Sequence, residues 1–113
     1  MVKFNLEHKT VLDEFFKEIP EVKSGKMFGY PAYYVGGKLF VCIYEDGLGL
    51  KVPESMAEEL RNRDYIDYFQ PLGRNKMREW IQINRKKSED YLKDEEILMA
   101  SLKYVASLAE ITL

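Results

Sequence analysis

A chain of 113 residues with 46% apolar and 13% aromatic side chains predicts one compact domain with a full core, and excludes a disordered tail. Its 17 Lys and Arg stand against 19 Asp and Glu, a net charge of −2, which argues against a dedicated nucleic-acid binder. The lone cysteine, Cys42, excludes an internal disulfide or a thiolate metal cage, no run reaches the ~18 apolar residues of a membrane helix, and no secretory signal follows Met1. The expectation is a cytoplasmic domain over residues 1–113, without a cofactor and without a membrane partner.

In chain order, Asn5 is placed to cap a helix whose apolar residues Leu12, Phe15, Phe16 and Ile19 recur at spacings of three and four, and Pro20 ends it. Gly25 to Phe28 then reads as a strand before Tyr30-Pro31. Gly36-Gly37 and Asp46-Gly47 are two-residue hairpin signals. They separate Ala32–Val35, Lys38–Tyr44 and Leu48–Val52 as strands. A helix follows Pro53 through Met56, Ala57 and Leu60. Phe69 to Gly73 is turn-rich, Met77 to Asn84 reads as a last strand, and Ser88 to Leu92 as one short turn. Acids at Asp94, Glu95 and Glu96 favour a helix N-terminus, and Leu98, Leu102, Val105 and Ala109 form its apolar stripe. With no βαβ alternation, the pattern predicts an α+β fold: an antiparallel sheet with helices packed against it, in the order helix, three or four strands, helix, one or two strands, helix.

No catalytic constellation stands out. His8, the only histidine, reads as a solvent-exposed helix residue, and Cys42 as a small apolar strand residue. Neither a phosphate loop nor a metal-binding spacing is present. An enzyme would need groups such as Tyr33, Tyr44 and Glu79 to converge in a pocket. Two other features point outward. Between Arg74 and Lys87 six cations face Glu79 alone, so Arg74, Lys76, Arg78, Trp80 and Arg85 form a candidate partner or nucleic-acid surface, with Trp80 stacking on a base. The other reading is an edge strand blunted by charge. In the central strand, Leu39, Val41 and Ile43 alternate with Phe40, Cys42 and Tyr44, so both faces are apolar. The last helix, a second copy or a ligand must cover the second face. Phe40, Cys42, Tyr44 and Trp80 are therefore the candidate face of a twofold homodimer.

The runs Gly25-Lys26-Met27-Phe28-Gly29-Tyr30-Pro31-Ala32, Val35-Gly36-Gly37-Lys38-Leu39-Phe40 and Leu48-Gly49-Leu50-Lys51-Val52 resemble the N-terminal domain of the TfoX/Sxy competence-regulator family. Phe69 to Arg74 and Met77-Arg78-Glu79-Trp80 are similar to its later segment, with Trp80 in place of a tyrosine. The likeness runs from about Gly25 to Leu108. It departs at Tyr30, where many members have a second glycine, and matches only the stand-alone N-terminal form. The resemblance implies a two-layer α+β domain, an antiparallel sheet with helices in the order α-β3-α-β2-α, with no agreed catalytic residues: a non-enzymatic regulatory or protein-interaction domain of bacterial type, with an unknown protein partner. It also implies mainly structural roles for Lys26, Met27, Phe28, Gly29, Gly37, Phe40 and Lys51. Phe28 and Phe40 are assigned to the core, Gly29 to a close backbone approach, Lys51 to a strand end, and Arg74 with Glu79 to an ion pair.

Overall fold

The computed structural model describes residues 2–113. Helix α1 spans Leu6–Phe16, and the Asn5 side chain caps it, accepting from the N–H groups of Glu7 and His8. Four strands follow: β1 Val22–Met27, β2 Tyr30–Val35, β3 Lys38–Tyr44 and β4 Gly47–Lys51. Then come α2 (Glu54–Leu60), β5 (Ile66–Tyr68), a 3-10 turn at Pro71–Gly73, β6 (Trp80–Ile83), a second 3-10 segment at Ser88–Asp94, and α3 (Glu95–Leu108). The strands form one antiparallel sheet in the order β1-β2-β3-β4-β6-β5. The α+β class and the antiparallel sheet agree with the sequence. Four strands precede α2, the larger of the two counts the pattern allowed, because the whole segment from Val22, and not only Gly25 to Phe28, pairs with β2. Among the described residues no helix is long and apolar enough to cross a membrane.

Both α1 and α3 lie on one face of the sheet. Their buried residues Leu12, Phe16, Leu98, Leu102 and Val105 meet Val41, Ile43, Leu48, Leu50, Ile81 and Ile83 from the strands. The expected alternation along β3 breaks at Phe40. Ala32 pairs with Cys42 and Tyr33 with Val41, but Tyr34 pairs with Leu39, so Phe40 is the extra residue of a β-bulge. The bulge turns Phe40 to the helical side, edge-on to Phe16 at 5.5 Å, and Ser101 donates its hydroxyl to the freed Phe40 carbonyl at 3.2 Å. Phe40 and Cys42 are both fully buried within the chain, so neither belongs to an exposed face as the candidate dimer surface required.

His8 is also fully buried, contrary to the reading of it as a solvent-facing residue. Its Nε2 lies 3.1 Å from the Asp46 carbonyl, which only accepts, so Nε2 carries the proton. Nδ1 then accepts from the Ser88 hydroxyl at 2.6 Å. With both ring nitrogens satisfied, the imidazole packs edge-on to Tyr91 and ties α1 to the Ser88–Asp94 segment. Spacing could not reveal this, since Ser88 is distant in sequence.

The second face of the sheet is covered by the connection from β5 to β6, not by the last helix. Phe69 leaves the end of β5 and lies across Gly49 of β4, where a Cβ would sit 2.6 Å from the ring. The Leu72 N–H donates to the Tyr44 hydroxyl over β3 at 3.0 Å, and the Arg74 guanidinium reaches the Phe28 ring beyond β2. The connection is thus a strap crossing the sheet before it returns to β6. Gly47 likewise has its Cβ position occupied, by the Gln82 and Asn84 side chains. It opens β4 opposite Tyr44, leaving Glu45-Asp46 as the turn, rather than Asp46-Gly47. Gly49→Ala is expected to lower stability by ~1–3 kcal/mol through overpacking against Phe69, read as a lower denaturant midpoint at unchanged slope. A neutral result would mean that Phe69 does not rest on β4.

Candidate functional site

Strap and sheet do not close completely. Between the strap and the β1–β2 turn lies a groove of about 240 Å³, lined by Met27, Phe28 and Leu39 from β1, the β1–β2 turn and β3, and by Phe69, Pro71, Arg74, Met77 and Trp80 from the strap and β6. Phe69 is the buried centre of this face, 5.6 Å from the Tyr44 ring and 5.5 Å from that of Trp80. The two methionines supply flexible, polarizable walls that adapt to different shapes.

Phe28 does not enter the core. Met27 pairs with Tyr30, so Phe28-Gly29 is a two-residue hairpin turn with φ of 49° and 88°. Turns with two positive φ values favour Asn-Gly, and a bulky residue there is strained by ~1–3 kcal/mol. Phe28 nonetheless occupies it and is 62% exposed. Leu72, in the turn that carries Pro71, repeats the combination with φ 56° and 56% exposure. Gly29 does fit its assigned close approach, because a Cβ there would lie 2.7 Å from the Val2 side chain.

The cations have different partners. Among the described residues no carboxylate lies within 4 Å of Arg74. The expected Arg74–Glu79 pair does not form: Glu79 takes Lys51 at 3.7 Å and accepts the Tyr104 hydroxyl. Lys76 sits over the Tyr68 ring, and the well-exposed Arg78 approaches Glu54 at 3.6 Å. Arg85 is committed elsewhere. It donates twice to Asp94, whose side chain is 1% exposed, and stacks on Tyr65; these bonds hold the guanidinium proton more tightly than usual. Of the candidate surface Arg74, Lys76, Arg78, Trp80 and Arg85, Arg74, Lys76 and Arg78 are therefore exposed, Trp80 is half-buried, and Arg85 is taken up by an internal pair. Lys26 is exposed on the edge strand β1, Gly37 lies in the β2–β3 turn with φ 78°, and Lys51 ends β4.

The groups named for an enzyme do not converge either. Tyr33 donates to Asp13 on α1 at 2.6 Å, on the helical side of the sheet. Tyr44 is bound to the strap, and Glu79 is engaged by Tyr104 and Lys51. Burial pushes the Cys42 thiol up to about 12, which leaves it protonated and unreactive at neutral pH. The Ser88–His8 pair has the make-up of an activated hydroxyl, but both side chains are shut away from solvent. Neither the bond between residues 8 and 88 nor the strain at Phe28 was found from the sequence. A Phe-Gly pair directly before Tyr30-Pro31 was the one available signal of a turn.

The model of the TfoX N-terminal domain matches residues 14–104. The chain belongs to the TfoX N-terminal domain family. No curated protein and no solved structure matches it. In this TfoX N-terminal domain the motif residues Met27 and Phe28 line the groove from the β1–β2 turn, while Arg74, Met77 and Trp80 line it from the strap and the start of β6.

Two outcomes are expected. Phe28→Asn relieves the positive φ and should leave stability unchanged or raise it by ~0.5–1 kcal/mol, whereas loss of a core phenylalanine costs ~3–5 kcal/mol; thermal melting decides between them. Burial also raises Tyr91 to about 12, and burial with the Asp13 bond raises Tyr33 further, from ordinary values of 10.0. Because folded values lie above unfolded ones, this stability is fully present below about pH 9 and is lost as pH climbs towards 12. Tyrosinate absorbance from these two rings should appear together with loss of helical circular dichroism. Ionisation of all eight tyrosines in a still-folded chain would contradict it.

Proposed function

We propose that the chain is a non-enzymatic regulatory domain of the bacterial cytoplasm that works by binding a protein through the open sheet face. The observation that carries this reading is Phe28, a strained and exposed aromatic held over an apolar groove. Strain at a bulky residue persists where the surrounding structure enforces it, and such residues cluster at ligand clamps and switch regions. Covering one phenylalanine contributes ~1.5–3 kcal/mol, so a partner seated on Phe28 and Leu72 gains a central apolar anchor. Family membership supports a TfoX-like regulatory role.

Nucleic-acid binding has a narrower basis, namely the exposed cations Arg74, Lys76 and Arg78. Arg85 is bound to Asp94, and the chain as a whole is acidic. Self-association would compete for the same face, with Phe28 and Leu72 as the exposed residues there, instead of Phe40 and Cys42. A photoreactive phenylalanine at position 28, irradiated in the native cell, should give protein adducts that are absent when the probe replaces Lys103 on α3. Adducts to nucleic acid, or equal labelling from both positions, would contradict the reading.

A further inference from the structure

The groove beside Phe28 is specific enough in shape and charge to narrow its occupant. We infer that it takes a single bulky apolar side chain from an acidic segment of a partner protein, with a carboxylate next to that side chain engaging Arg74. This rests on the reading that the open face binds a protein.

Size is the first argument. A volume of about 240 Å³ falls below the ~300–1,000 Å³ usual for small-molecule sites, but it accommodates one large side chain. Of the lining, Met27, Met77 and Leu39 offer only apolar surface, and Trp80 adds an aromatic face whose one polar group is its indole N–H. An apolar anchor in such a cleft is how protein hot spots are built.

Charge is the second argument. Arg74 is the one charged residue lining the groove, and among the described residues it has no carboxylate within 4 Å. A guanidinium beside apolar walls presents a planar fork that fits a carboxylate bidentately. Strand β1, which runs to the groove at Met27, is an outer strand of the sheet; it carries Lys23 and Lys26 and no acid. Along the strap, Lys76 also lacks a carboxylate within 4 Å among the described residues. A second copy docked about a twofold axis here would set these cations against themselves, which disfavours self-association through the groove. Nucleic acid would need a longer run of free cations, yet Arg78 faces Glu54, Lys51 faces Glu79 and Arg85 is held by Asp94.

Trp80 is the only tryptophan and lines the groove, so its emission reports occupancy directly. The probes are peptides of about ten residues in which one central Phe, Leu, Met or Ala is flanked by acidic, basic or neutral residues. The full chain should bind the acidic Phe and Leu peptides with a change in Trp80 emission, about tenfold more tightly than their neutral-flank or central-Ala counterparts. Arg74→Glu should transfer the preference to basic flanks. Phe28→Asn, with its fold verified by circular dichroism and thermal melting, should weaken binding of the acidic Phe peptide about tenfold. Equal binding of acidic and basic flanks, no Trp80 response to any peptide, tighter binding of a single-stranded oligonucleotide, or a dimer that Arg74→Glu leaves intact would each overturn the inference. Protein adducts from position 28 without an acidic preference would leave the protein-binding reading standing and remove only the acidic occupant. Absence of both would remove both.

Discussion

Phe69 resting on Gly49 is the contact on which the open side of this molecule depends. A sheet whose central strands are apolar on both faces needs cover on both, and the helices α1 and α3 supply only one side. The missing Cβ at Gly49 lets an aromatic ring lie flat on β4 and bury Ala32 and Cys42 beneath it. With Phe69 placed, the strap must cross β3, where Leu72 bonds Tyr44, and end near the β1–β2 turn, where Arg74 meets Phe28. The cover is therefore thin and short of the sheet's edge. What it leaves open is the groove.

The bulge at Phe40 is the matching device on the helical side. One extra residue in β3 sends Phe40 inward beside Val41 and Ile43, and it leaves Leu39, Cys42 and Tyr44 facing the strap. A freed backbone carbonyl in a core would cost ~1–3 kcal/mol if unsatisfied, and Ser101 of α3 answers it. The buried His8–Ser88 bond ties together segments distant in sequence, and the Arg85–Asp94 pair clamps the short connection from β6 to α3. They explain why the lone histidine and one of the expected surface cations have internal roles.

Periodicity made much of this fold legible. The spacing of Leu12 and Phe16, the Gly36-Gly37 turn and the stripe from Leu98 to Val105 were each enough to place an element. Short β5 was allowed for in the strand count but not located, because its three residues gain their pairing only from β6. Three other features resist reading from a string because they depend on partners far along the chain. A bulge leaves no local mark in an apolar run such as Lys38–Tyr44. Gly47 resembled a turn residue but is small because Gln82 and Asn84 press on it. Phe28 sat in a recognisable motif and was assigned inside, since an exposed aromatic at positive φ is the less common outcome. Trp80 and Arg74 were named from sequence as part of a basic surface; the groove they share with Met27, Phe28 and Met77 emerged only in three dimensions.

The most direct test of this picture is acrylamide quenching of Trp80 in the free chain, followed across protein concentration. An open groove on a single copy predicts that the half-buried indole is partly accessible, with quenching that does not change as concentration rises. An indole already fully shielded at high dilution would mean that the chain closes the groove itself. Shielding that grows with concentration would mean that a second copy closes it. Either result would contradict the account.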